Sequence, residues 1–111
     1  MRRLLSTCML LAAAPFAIAR AADALPPQPA QLGLCAACHG EDGQARIPGA
    51  PNLAGQPYQY LLGALHEYRD GGRKVAVMRA AAGPLTEKDM QALAHWYAAQ
   101  TPCKPAQAES P

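Results

Sequence analysis

Apolar side chains recur at helical intervals in two stretches of the chain. Tyr58, Leu61, Leu62, Leu65 and Tyr68 form one stripe, opened by Pro57 and closed by Gly71 and Gly72, which predicts a helix with a proline entry and a glycine stop. Met90, Leu93, Ala94 and Tyr97 form a second stripe. Thr86 lies three residues ahead of Asp89, the spacing of a capping box, and Pro102 ends the run. A shorter helix is predicted from near Pro29 through "AQLGLCAAC", since a proline costs nothing in a first turn whose N–H groups have no partner. Residues 40–55, "GEDGQARIPGAPNLAG", are dense in Gly and Pro and read as loop. Residues 73–84, "RKVAVMRAAAGP", read as a further, partly irregular segment. No alternating strand pattern and no internal repeat is visible. The pattern predicts a small all-α domain of three to five helices joined by long Gly/Pro loops.

The N-terminal stretch follows another logic. Arg2 and Arg3 precede an apolar run from Leu4 to Ile18, and Ala19-Arg20-Ala21 supplies small residues around a cleavage point. This is the anatomy of a secretory signal, removed after Ala21, which places the product in the periplasm. The apolar run contains Pro15 and is too short for a bilayer span, which takes about 20 apolar residues. The predicted plan is thus a signal at 1–21, a Pro-rich lead-in at 22–28, one domain at 29–102 and a tail at 103–111. Cleavage also changes the charge. The whole chain carries +2, but with Arg2, Arg3 and Arg20 gone, Lys plus Arg falls from 10 to 7 against 8 acidic residues, near −1. That balance excludes a nucleic-acid binder.

Export changes the reading of the cysteines as well. Without Cys8 the remaining thiols are Cys35, Cys38 and Cys103, an odd number that builds no disulfide framework. The core is thin, with Trp96 and four tyrosines as its only aromatic side chains once Phe16 is removed. Domains of this size need a staple, a metal or another source of buried apolar surface.

The motif "CAACHG", residues 35–40, bears on that need. A redox CxxC belongs at a helix start in a βαβ context; here it falls near the end of a helical stretch. A zinc site needs four ligands, and no second pair follows Cys35 and Cys38. Covalent haem attachment needs a histidine directly after the second cysteine, and His39 is there. Two thiols three positions apart reach the two vinyl groups on one porphyrin edge, and the next side chain meets the iron. Haem also supplies the missing core. Four side chains are candidates for the sixth iron position. Met90 lies on the apolar stripe, which suits core, and His66 and His95 lie on separate helices, which suits surface. Met78, in the irregular segment, is the best placed.

The motifs "CAACHGEDG", "PNLAGQ", "YLLGALHEYRDGGRK" and "VMRAAAGPLTEKDMQALAHWYAAQ" together resemble a short bacterial class I cytochrome c, and especially one half of the periplasmic dihaem cytochromes c. The resemblance implies thioether bonds from Cys35 and Cys38 to one haem c, His39 as proximal and Met78 as distal iron ligand, and the Pro51 carbonyl bonded to the other imidazole nitrogen of His39. It implies that Trp96 sits where the last helix crosses the first, and that Tyr60 and Arg73 meet the haem propionates. Three features depart from the family pattern: the short proline-led first helix, Ala64 in place of a polar residue, and Cys103.

The function implied is single-electron transfer through a His/Met-ligated haem, with no catalytic residue, between a redox donor and an acceptor protein. Thioether ligation and burial raise the potential. Arg69, Arg73, Lys74 and Arg79 flank Met78 and form a candidate basic patch for an acidic partner. Two other functions fit the same motifs: a haem subunit of a respiratory or dehydrogenase complex, and an enzyme or gas sensor with an exchangeable sixth position.

Overall fold

The computed structural model describes residues 24–102. The signal segment, the start of the lead-in and the tail that includes Cys103 lie outside the described residues. Four helices follow in order: α1 (Leu32–His39), α2 (Tyr58–Asp70), α3 (Ala76–Ala82) and α4 (Glu87–Ala98). Among the described residues there is no strand, as the pattern predicts.

The two striped segments form α2 and α4 close to the predicted bounds. Pro57 caps α2 in extended geometry, and Gly71 ends it in the left-handed conformation (φ 87°) that glycine adopts without strain. Thr86 caps α4: its hydroxyl accepts from the Asp89 N–H, and the Asp89 carboxylate accepts from the Thr86 N–H. The box is complete even with aspartate in the glutamate position. The whole predicted α4 face is buried (Met90, Leu93, Ala94 and Tyr97), joined by Trp96. Helix α2 packs chiefly against α4 and then against α3, and Leu32, Leu61, Ala82 and Leu85 complete the core.

Two boundaries differ from the pattern. The first helix starts at Leu32 rather than near Pro29. Pro29 and Gln31 instead accept from Leu32 and Leu34 across three residues, so the chain enters α1 through a tight turn. The segment around Met78 is regular helix. "AVMRAAA" is rich in alanine, the strongest helix former, and its last-turn carbonyl at Arg79 accepts from Gly83. The loop-like residues on either side, Gly71-Gly72 before and Gly83-Pro84 after, hide a seven-residue helix inside a segment that reads as irregular.

The long loop between α1 and α2 is pinned at several points. Leu53 and Ala54 both donate to the Gly43 carbonyl, Arg46 donates to Cys38, and Gly55 donates to Tyr97 of α4. The Asn52 side chain accepts from Ala45. These bonds fold residues 40–56 back along the end of α1 and set the position of Pro51.

Candidate functional site: a haem cavity

The end of α1, the long loop, α2, α3 and α4 together enclose a cavity of about 1020 Å³. Cys35, Cys38 and His39 line it from α1, Pro51 from the loop, Tyr60 from α2, Arg73 from the turn after α2, and Met78 from α3. All seven residues that the resemblance assigns to the haem therefore meet one cavity. Most of the remaining wall is aliphatic, including Leu53, Leu61, Leu65 and Leu93.

His39 is buried, and its Nδ1 lies 2.9 Å from the Pro51 carbonyl. A carbonyl only accepts, so Nδ1 must carry the proton and the Nε2 lone pair is left for another partner. Of the four sixth-position candidates, Met78 alone lines the cavity. Met90 is fully buried in the core. His66 contacts the Glu87 carboxylate at 2.8 Å, and His95 stacks on Tyr58 with ring centroids 4.1 Å apart.

The alternative chemistries find no support in the same geometry. Burial pushes the Cys35 thiol above its ordinary pKa, opposite to the depressed value an attacking redox thiol needs. Among the described residues no three His, Cys, Asp or Glu side chains converge as metal ligands. Paired thiols, an imidazole with a free Nε2 and a thioether sulfur around one apolar hollow form the donor set of a covalent haem.

Two bonds from α4 secure the end of α1. Tyr97 donates its hydroxyl to the Gly40 carbonyl at 2.9 Å, and the Trp96 indole donates to the Glu41 carbonyl at 2.7 Å. Trp96 thus reaches the segment directly after α1. Burial, and then the neighbouring Cys35, Asp42 and Glu41, raise the Tyr97 pKa well above its ordinary value, so the phenol stays a donor. Ala64, a departure from the family pattern, lines the cavity.

Arg73 is held on several sides. Its Nε donates to the Glu67 carboxylate at 2.6 Å, its backbone N–H donates to the Glu67 carbonyl, and it lies 5.7 and 5.5 Å from the ring centres of Tyr60 and Tyr68. The proposed basic patch is smaller than the sequence implies. Arg69 is paired with Asp70 and Glu87, and Arg73 with Glu67, leaving Lys74 and Arg79 without an ion-pair partner among the described residues.

Sequence reading missed several wall and rim residues. Leu34, Ile47, Val75 and Val77 line the cavity and are about half exposed or more. Ile47, Val75 and Val77 carried a signal, as apolar side chains inside polar or Gly/Pro-rich text, whereas Leu34 lies in apolar helical text and carried none. Tyr68 was visible as part of the α2 stripe, but its place beside Arg73 depends on the Gly71-Gly72 reversal.

The cytochrome c family model matches residues 30–99, and the chain belongs to the cytochrome c family. It is 42% identical to cytochrome c-554(548) of Halomonas halodenitrificans over 63% of this chain and 88% of that protein. It is 39% identical to cytochrome c4 of Pseudomonas aeruginosa over 64% of this chain and 35% of that one. A thiosulfate dehydrogenase electron acceptor of Thiomonas intermedia is 42% identical over 96% of this chain and 48% of its own length. The chain thus spans most of the Halomonas protein but half or less of the other two. Membership brings one covalent haem c on the CxxCH motif and a role in electron transfer. Among the described residues no helix is long and apolar enough to cross a membrane.

Proposed function

We propose that this chain is a periplasmic carrier of single electrons whose haem c is held by Cys35 and Cys38 and ligated by His39 and Met78. The observation that carries the reading is that, of four candidates, only Met78 shares the cavity with His39 and both attachment cysteines. The haem iron, when bound, supplies the one-electron redox change. The chain's residues hold and tune it. Cys35 and Cys38 anchor the ring. The Pro51 carbonyl fixes the His39 tautomer, orients the imidazole and makes Nε2 a better donor. The Met78 thioether favours the reduced metal and raises the potential. Tyr60 and Arg73 meet the propionates. No side chain acts as catalyst, and the chain is exported with its signal cleaved after Ala21.

The test is Met78→Ala. Reduced and oxidised spectra of the variant lose the low-spin His/Met signature, the midpoint potential falls, and the reduced variant binds carbon monoxide where the parent does not. An unchanged spectrum and potential would remove Met78 from the iron. Carbon monoxide binding by the parent would favour an enzyme or sensor with an exchangeable position instead.

The partners are a donor and an acceptor protein. Lys74 and Arg79, free of ion pairs among the described residues, flank in the chain the exposed Val75 and Val77 that line the cavity, which suits an acidic partner with an apolar centre. Its electron-transfer rate falls as salt rises. A second reading, a subunit receiving electrons within a dehydrogenase complex, draws support from the similarity to the Thiomonas electron acceptor across 96% of this chain. Co-purification with a dehydrogenase distinguishes the two.

A further inference from the structure

Arg73 is more firmly held than an exposed arginine needs to be. Its side chain is about one-third exposed and its partner Glu67 about half exposed, and ion pairs so exposed add little stability. Yet Glu67 binds it twice, through the carboxylate at Nε and through its own carbonyl at the Arg73 N–H, while Tyr60 and Tyr68 each present a ring to the guanidinium. Arg73, Tyr60 and Tyr68 all line the haem cavity, whereas Glu67 does not.

The Nε contact occupies one donor and leaves the Nη groups for a carboxylate. A flexible side chain fixed in advance loses little entropy when it forms that bond, and a fixed charge acts on the iron without reorganising. We propose that Glu67 is a positioning residue for electron transfer: it holds Arg73 at the cavity, between Tyr60 and Tyr68, so that the guanidinium's positive charge favours the reduced haem. The proposal rests on the reading that Arg73 faces the haem propionates.

The sign of the effect separates positioning from simple charge. Glu67 is itself negative, so its field alone lowers the potential, and removing it by field alone would raise the potential. If Glu67 works by holding Arg73, Glu67→Ala frees the arginine to swing into solvent, and the potential falls even though a negative charge has been lost. Glu67→Gln keeps an acceptor for Nε and holds the potential at or above the parent value. With Arg73→Gln in place, Glu67→Ala no longer lowers the potential.

The experiment is a spectroelectrochemical titration of the haem-loaded parent, Arg73→Gln, Glu67→Ala, Glu67→Gln and the Arg73→Gln/Glu67→Ala double variant, each first shown to keep the parent's absorption spectrum. A fall in Glu67→Ala that vanishes in the double variant and is rescued by Glu67→Gln supports the proposal. A fall in Arg73→Gln with no fall in Glu67→Ala overturns the role of Glu67 and leaves Arg73 at the haem. No change in Arg73→Gln overturns the underlying reading of Arg73, and the proposal with it.

Discussion

Gly43 shows what single residues contribute to the site. Its φ is +77°, and a Cβ built there comes within 2.5 Å of the Ala54 backbone nitrogen and 2.8 Å of the Ala54 Cα. Any side chain would thus meet rigid backbone in a conformation that L-residues disfavour. The Gly43 carbonyl accepts from Leu53 and Ala54, so displacing it also moves the segment that carries Pro51. Gly43→Ala is expected to destabilise the protein by about 1–3 kcal/mol and to perturb the His39 ligand field, read by denaturant unfolding and by the reduced spectrum. Tyr97→Phe tests a neighbouring bond. It leaves the Gly40 carbonyl without its buried phenol partner, at a cost of about 1–3 kcal/mol; a parent-like unfolding midpoint would contradict that. Legibility in the sequence divides along the same line. Cys35, Cys38 and His39 announce their chemistry by adjacency. The need for glycine at 43 comes from residue 54, a contact made only once the loop has closed.

At the level of elements, local chemistry was legible where it was self-contained. The Thr86–Asp89 box, the α4 stripe and the Gly71 stop each depend on residues within a turn or two, and all appear as predicted. Helix α3 did not stand out because a seven-residue helix shows too few turns for a stripe, and most of its residues face solvent or the cavity rather than the core. For α2 the stripe was right but only Leu61 is buried, and Leu61, Leu65 and Tyr68 all line the cavity, so the stripe faces the cavity as much as the protein core. The α4 cap makes a pH prediction. Hydrogen bonds from Thr86 hold the Asp89 carboxyl below its ordinary pKa of 3.8, and the His66 hydrogen bond, followed by that of Gln91, lowers Glu87. A carboxylate with a depressed folded pKa adds stability that is present above the unfolded pKa and lost as pH falls through the folded one. Stability should therefore decline through the acid range below about pH 4. Thr86→Ala should lower it by about 1 kcal/mol at neutral pH and flatten the acid decline. Equal losses at every pH would mean that the hydroxyl, and not the carboxylate it holds, carries the cap.

For the whole molecule the main fact is how little of the interior is protein. Among the described residues, ten apolar side chains are buried, nine of them in one core cluster, beside a cavity of about 1020 Å³. Protein interiors are packed without apolar voids of this size, so walls of this extent call for a large apolar occupant in the folded state. The shortage of aromatic residues in the sequence pointed to this, because a chain with one Trp and few other rings must borrow its core. The size and outline of the borrowed part stayed hidden, since the walls come from all four helices and the long loop. The haem therefore serves structure as well as redox chemistry, and the two can be separated by experiment. Cys35→Ala combined with Cys38→Ala, purified free of haem, is expected to unfold gradually on heating and to lose near-UV circular dichroism, while keeping some far-UV helical signal. The same variant with haem supplied without covalent attachment should recover part of the cooperative transition, because binding to the folded state alone stabilises it. A sharp, parent-like transition in the haem-free variant would show that the helices hold one another without the ring, and that the cavity is a binding site set in an already stable fold.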